Sequence, residues 1–181
     1  MRQVRALIRF WKVRATFDDA FRSSATVFPA LERLGVPVQI FVCTRYARAG
    51  APLGIPELAG DDPAQLATMH WDELREHAGR GVQIGSHGVA HPHLTTLSDA
   101  ELRRELEDSK EEIEAELARP CRAFAYPYGE NDLRVRDATR AAGYDQAFAL
   151  RGRKGDAYAL PRVDLYHRHT VPRALVRALG R

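Results

Sequence analysis

The fold is decided by residues 82–125, which read VQIGSHGVAHPHLTTLSDAELRRELEDSKEEIEAELARPCRAFA. The apolar run Val82–Gly85 is typical of a short buried strand, and Cys121–Ala125 of another. Between them Ser98–Leu117 predicts a long amphipathic helix, because its first residue forms a capping box with Glu101 and its leucines recur at helical spacing. A strand, a helix and a second strand in this order predict a crossover between two parallel strands.

The same alternation extends in both directions along the chain. Further strands are predicted at Val13–Phe17, Val38–Cys43, Gln146–Leu150 and Tyr158–Leu160, and further helices at Ser24–Leu34, Trp71–His77 and Asn131–Ala142, the last capped by Asn131. We therefore expect an α/β fold, an irregular and incomplete (β/α) barrel with parallel strands. A complete eight-fold barrel takes roughly 250 residues, so this chain of 181 residues is expected to form one shorter domain over residues 1–181.

Composition excludes several classes of protein. With 45% hydrophobic and 28% charged residues, the chain has the composition of an ordinary globular protein. No apolar run is long enough to span a bilayer and the N-terminus lacks the apolar core of a signal peptide, so we expect a cytoplasmic protein as the sequence is written, or an extracytoplasmic one if it is a fragment. The net charge is +3 and we expect no single segment to concentrate it, so no nucleic-acid partner is expected. Cys43 and Cys121 are expected as buried thiols, with a disulfide between them as the alternative.

Three polar or aromatic runs each follow a predicted strand. Asp18 and Asp19 follow the first strand, His87 follows the third, and Tyr126–Gly129 follows the fourth. The carboxyl ends of parallel strands share one rim of such a fold, which is where its chemistry collects. We therefore expect these runs to meet.

Their chemistry predicts a metal-dependent hydrolase of an amide or ester. One Asp and two His are a full protein ligand set for a hydrolytic metal centre. His87 and His91 at i, i+4 share a face on one helical turn, whereas His93 is out of phase with His87. The second Asp is then available as a base beside the metal-bound water. The turn around Tyr128 directs its N–H toward an oxyanion. Each run also has a simpler interpretation: a surface turn or helix cap, a chance histidine pair, and an aromatic turn that only packs the rim.

The runs TFDDA (16–20), SHGVAHPHL (86–94) and FAYPYGE (124–130) resemble the three motifs of the polysaccharide deacetylases of the NodB-homology type, carbohydrate esterase family four. The third run resembles the form found in the poly-N-acetylglucosamine deacetylase branch. The resemblance covers residues 13–163. It implies a NodB-like barrel that removes N-acetyl groups from an acetylated sugar or polysaccharide.

By the same resemblance, Asp18 is the base and Asp19, His87 and His91 are the metal ligands. It also implies a divalent metal ion, zinc first, with cobalt or nickel as alternatives. The sequence does not define an oligomeric state.

Two departures from the family pattern stand out. The third-motif arginine that tethers the base in many members is replaced by Ala125, and Arg162 is the candidate to supply that guanidinium. The family's acid histidine has no counterpart before His70, which suggests truncation at the N-terminus; His167 and His169 are the late candidates. Two alternatives therefore stay open: a weakly active or inactive carbohydrate-binding protein that keeps the metal site, and a small-molecule amidase of the same fold.

Overall fold

The computed structural model describes residues 1–58, 60, 62–153 and 155–163. Within them, six parallel strands form one sheet in which each strand pairs with its neighbours in chain order. The strands are β1 (Ala15–Phe17), β2 (Val38–Val42), β3 (Gln83–Ser86), β4 (Ala123–Ala125), β5 (Gln146–Ala149) and β6 (Leu160–Pro161). The predicted incomplete parallel barrel is confirmed.

Helices connect the strands. They are α1 (Arg2–Leu7), α2 (Phe28–Glu32), α3 (Thr44–Ala47), α4 (Trp71–Gly79), α5 (Asp99–Leu117) and α6 (Leu133–Ala141). Short 3₁₀ helices lie at Arg22–Val27, Pro56–Leu58, Leu94–Thr96 and Pro127–Gly129. The long helix α5 begins as predicted, with the Ser98 side chain accepting a hydrogen bond from the Glu101 N–H and Glu101 accepting one from the Ser98 N–H.

The core lies between the sheet and these helices. Every residue of β2 is buried, as expected for a parallel strand covered on both faces. Helix α5 contributes Leu102, Leu106 and Ile113, which are buried in the same apolar cluster. Cys43 and Cys121 are both buried free thiols, so no disulfide joins them. No helix among the described residues has both the length and the apolar character of a membrane span.

Three details differ from the sequence predictions. The helix predicted over Ser24–Leu34 is divided into the 3₁₀ helix Arg22–Val27 and helix α2, because Pro29 has no N–H for an interior position and is tolerated only in the first turn of α2. Helix α6 is capped by Asp132 and not by Asn131: the Asp132 carboxylate accepts the Val135 N–H at 2.8 Å. Helix α1 was not predicted at all.

The sheet curls so that its two edge strands face each other across a gap. A cavity of about 700 Å³ occupies this gap and is lined by residues of β1, β6 and α1. Asp18, which follows β1, and Arg162, which follows β6, both line it. The curvature of the sheet thus brings residues near the two ends of the described chain close together.

Candidate metal centre

Asp19, His87 and His91 converge at the carboxyl ends of β1 and β3. One oxygen or nitrogen atom from each lies within 4.8 Å of the others. The Asp19 Oδ1 atom is 3.7 Å from His87 Nε2 and 3.5 Å from His91 Nε2. Both imidazoles are buried.

Backbone geometry places the aspartates. Asp19 and Ala20 adopt left-handed conformations, with φ of 64° and 52°, so the chain turns sharply where β1 ends. Such conformations disfavour non-glycine residues and persist only where the surrounding structure holds them; here Ala20 is fully buried. The turn leaves both neighbouring carboxylates within electrostatic range of His87.

The segment between the two histidines is not the helical turn that the i, i+4 spacing suggested. Gly88 has φ of 86° and His91 φ of 63°, which no helix contains. Two carbonyl groups of this segment accept hydrogen bonds from the start of α3: Gly88 from the Thr44 N–H, and Val89 from the Arg45 N–H. The histidines therefore meet through an irregular loop fixed to the neighbouring strand connection.

Glu105 of α5 holds the other side of this loop. Its Oε2 atom accepts the N–H groups of Val89 at 2.7 Å and Ala90 at 3.1 Å. A Cβ atom at Gly88 would come within 2.9 Å of the same oxygen. Glu105 was not predicted as a site residue, although its place directly before the buried Leu106 shows that it borders the core face of the helix.

A backbone carbonyl orients His87. Its Nδ1 atom lies 2.7 Å from the carbonyl oxygen of Ala125, at the end of β4. Since a carbonyl only accepts, Nδ1 carries a proton, and Nε2, on the side of Asp19, is the ring nitrogen that can bind a metal ion when the imidazole is neutral. Metal-binding histidines are oriented by such contacts.

The residues present fit a divalent cation. Two imidazoles and one carboxylate are a ligand set that zinc prefers, with room left for a water or substrate. The Asp19 Oδ1 atom is buried and has no hydrogen-bond partner within the described part of the chain. Burying a carboxylate oxygen without a partner is costly, and a bound cation would remove that cost.

Arg162 forms a two-pronged ion pair with Asp18. The Arg162 Nη1 and Nη2 atoms lie 2.6 Å and 2.7 Å from the two carboxylate oxygens of Asp18. The side chains are 10% and 29% exposed, respectively. Burial raises the pKa of Asp18, but the charges of His87 and Arg162 outweigh it, so this pKa lies below its usual value. Burial also has the largest effect on the pKa of Asp19, and it raises this pKa above its usual value.

Tyr128 lies beside the metal-ligand candidates. It has φ of 58° inside the turn Pro127–Gly129, and its ring contacts His91 edge to face at 4.5 Å between centroids. On the solvent side it stacks on His93 at 3.9 Å, and His93 Nδ1 lies 2.9 Å from Glu130 Oε2. His93 therefore belongs to the rim and not to the group formed by Asp19, His87 and His91.

The structure thus brings all six predicted site residues to one rim: Asp18, Asp19, His87, His91, Tyr128 and Arg162. The late candidates for an acid, His167 and His169, lie outside the described residues.

Comparison with known proteins identifies the family. Residues 11–147 match the model of the polysaccharide deacetylase family, and the chain belongs to that family. The resemblance found in the three motifs is therefore confirmed.

Similar proteins agree with this assignment. YxkH of Bacillus subtilis, named as a polysaccharide deacetylase, is 23% identical over 156 residues, which are 83% of this chain and 50% of YxkH. The structure of IcaB from Ammonifex degensii is 25% identical, with a TM-score of 0.69 over 92% of this chain and 71% of IcaB. The deacetylase PplD of Streptococcus pyogenes, solved with acetate, is 24% identical, with a TM-score of 0.61 over 80% of this chain and 61% of PplD. This chain therefore spans half the length of YxkH.

Proposed function

We propose that this protein is a metal-dependent hydrolase that removes N-acetyl groups from a sugar or polysaccharide. The observation that carries the proposal is the pairing of two groups on one rim: the Asp19, His87 and His91 cluster, and the carboxylate of Asp18 held by Arg162. Membership of the polysaccharide deacetylase family supports the substrate class. The acetate bound by PplD is the product that such a reaction releases.

Asp19, His87 and His91 would hold the metal, with zinc as the best match to the ligand set and cobalt or nickel as alternatives. When bound, the metal polarises the acetyl carbonyl and lowers the pKa of a coordinated water. Asp18 would accept the proton of the water whose oxygen attacks the acetyl carbon. Arg162 keeps the Asp18 carboxylate ionised and fixed in direction, which a base needs before the reaction begins.

The later steps involve the carbonyl oxygen and the sugar nitrogen. The N–H of Tyr128 donates a hydrogen bond to the oxyanion that develops on the carbonyl oxygen. The C–N bond then breaks, acetate is released, and the sugar nitrogen takes up a proton to leave as an amine. The proton that Asp18 has accepted can return to this nitrogen, and no separate acid is assigned among the described residues.

One observation favours a second function, binding of acetylated carbohydrate without efficient hydrolysis. The other histidines of the described chain have contacts of their own: His70 caps α4, His77 packs against Phe28, and His93, on the rim, stacks on Tyr128 and contacts Glu130. Loss of a general acid costs about 10²–10⁴-fold in rate. A protein of this kind would bind metal and substrate and release little acetate.

The test combines metal analysis with acetate release from chitin oligomers and acetylated glucosamine polymer. Asp18→Asn should keep the metal and lose about 10²–10⁴-fold in rate, the range for a general base, whereas Asp19→Ala and His91→Ala should lose the metal as well. Asp108→Asn, an exposed change on α5, is the matched control. Metal content unchanged in Asp19→Ala and His91→Ala would refute the site assignment. Metal binding with no acetate release would establish the second function, and activity only on small cyclic amides would establish an amidase.

A further inference from the structure

The first 14 residues carry an unusual charge. They contain five cations and no acidic residue: Arg2, Arg5, Arg9, Lys12 and Arg14. The other 22 of the 27 Lys and Arg are outnumbered by 24 Asp and Glu. The expectation that no segment concentrates the charge is therefore wrong, because the positive charge of the chain comes from its N-terminus.

Three of these cations form a stripe. Arg2, Arg5 and Arg9 follow each other at spacings of three and four, which places them on one side of a helix. The helical path continues beyond α1, since the Trp11 N–H reaches the Leu7 carbonyl at 3.0 Å. All three arginines are exposed, and within the described residues none has an ion-pair or hydrogen-bond partner. The opposite side packs on the core, where Leu7 is buried.

Two large aromatic side chains lie beside the stripe. Phe10 is 68% exposed and Trp11 37%, with ring centroids 5.6 Å apart. Four large hydrophobic side chains are exposed in the described chain, and three of them, Met1, Phe10 and Trp11, belong to this segment. Single exposed apolar residues are ordinary, whereas a cluster of them next to unpaired cations indicates a contact surface.

We propose that this basic-aromatic surface, formed by Arg2, Arg5, Arg9, Phe10 and Trp11, binds a membrane surface that carries anionic lipid. Arginines beside Trp and Phe match the two layers of such a surface: phosphate headgroups attract the cations, and the boundary with the acyl chains accepts the aromatic rings. A second copy of the chain fits poorly, since a symmetric contact through this surface would oppose two arginine stripes. This inference is independent of the proposed deacetylation.

The surface adjoins the gap between the edge strands. Trp11 and Lys12 line the same cavity as Asp18 and Arg162. Binding at a membrane would therefore place this side of the site against the lipid surface. A protein that rests on a bilayer in this way needs no spanning helix.

The test measures partitioning of the full chain onto vesicles by co-sedimentation at low ionic strength. Vesicles of equal parts phosphatidylglycerol and phosphatidylcholine are compared with phosphatidylcholine alone. One Lys or Arg contributes roughly fivefold to binding at an anionic surface, so the variant Arg2→Gln/Arg5→Gln/Arg9→Gln should bind about a hundredfold more weakly. The matched control Arg33→Gln/Arg103→Gln/Arg104→Gln removes three exposed arginines elsewhere and should bind like the wild type.

The aromatic residues give an independent readout. The protein has two tryptophans, and the other, Trp71, is buried. In a Trp71→Phe background, the emission of Trp11 should shift to shorter wavelength when anionic vesicles are added. Phe10→Ser should weaken partitioning about tenfold, in line with the partial burial of one aromatic side chain.

Several results would overturn the proposal. The proposal would be wrong if the protein bound vesicles of phosphatidylcholine alone as well as anionic vesicles, or bound neither. It would also be wrong if both triple variants lost vesicle binding to the same extent. Binding to a single-stranded oligonucleotide that is stronger than to vesicles and unaffected by Phe10→Ser would assign the surface to nucleic acid instead. Acetate release from soluble oligomers should be unchanged in the triple variant, so failure here is distinct from failure of the proposed activity.

Discussion

Replacing Glu105 with alanine is expected to weaken zinc binding without removing any ligand. Glu105 lies on α5 and contacts none of the metal-ligand candidates directly. Its Oε2 atom holds the N–H groups of Val89 and Ala90, the two residues directly before His91. His91 is held with φ of 63°, a conformation that a non-glycine residue leaves unless its neighbours prevent it.

The magnitude follows from these contacts. Hydrogen bonds to a charged acceptor contribute about 1.5–3 kcal/mol each, and because Glu105 is only half-buried we take the lower end. A left-handed non-glycine residue costs about 1–2 kcal/mol. Without Glu105, His91 relaxes and the metal must restore the loop when it binds. Changes to residues that orient a metal ligand typically cost about 10–100-fold in metal affinity, and we expect a loss in this range for Glu105→Ala.

The assay is a titration of metal-free protein with Zn²⁺ against a chromophoric chelator, together with urea unfolding and hydrogen exchange of the Val89 and Ala90 amides. Glu105→Gln keeps an acceptor oxygen but loses the charge, so it should fall between wild type and alanine. Glu107→Ala removes an exposed carboxylate from the same helix and serves as the control. Zinc affinity of Glu105→Ala equal to that of Glu107→Ala would refute the reasoning, even if the variant unfolds at lower urea.

Three further changes test other parts of the structure by urea unfolding. Arg162→Met leaves the Asp18 carboxylate without its partner and should destabilise the metal-free protein by about 2 kcal/mol, less than a fully buried pair because Asp18 is partly exposed. Because the folded protein lowers the pKa of Asp18, the ion pair stabilises the protein above pH 3.8, the ordinary pKa, and this stabilisation is lost as the pH falls below that value. If the destabilisation caused by Arg162→Met does not become smaller in acid, the ion pair between Asp18 and Arg162 is contradicted. Ala118→Gly should stabilise by about 1 kcal/mol, because Ala118 ends α5 with φ of 50°; a destabilised variant would count against that conformation. Gly129→Ala would place a Cβ 2.5 Å from Leu150 Cγ, so we expect the free energy of unfolding to fall by more than about 2 kcal/mol. An unchanged free energy of unfolding would exclude this close contact.

Much of the fold was predictable because the signals are local. Strand-length apolar runs alternate with helical segments, and that alternation alone predicts parallel strands joined by crossovers. Ser98 and Glu101 are three residues apart, so the start of α5 could be read directly from the sequence. The turn residues that follow β1, β3 and β4 were expected on one rim for the same reason, since parallel strands share their carboxyl ends.

The features that could not be predicted from the sequence depend on contacts between distant residues. The i, i+4 spacing of His87 and His91 fits a helix, but the loop conformation is fixed by α3 and by Glu105, which no local pattern indicates. The cap of α6 could have been either Asn131 or Asp132 by residue type. Asn131 instead donates to the Gly129 carbonyl and accepts from Arg136, and only the turn before it decides this.

The ion pair between Asp18 and Arg162 joins residues 144 positions apart. All three metal-ligand candidates lie within the first 91 residues, whereas the guanidinium belongs to Arg162, which directly follows β6, the last strand of the described sheet. Contacts between such distant residues form late in folding, and a chain made on the ribosome presents its N-terminal part first. The order of synthesis therefore separates assembly of the ligand cluster from anchoring of the base. Until β6 has docked, a nascent chain has the residues for a metal site but no partner for Asp18.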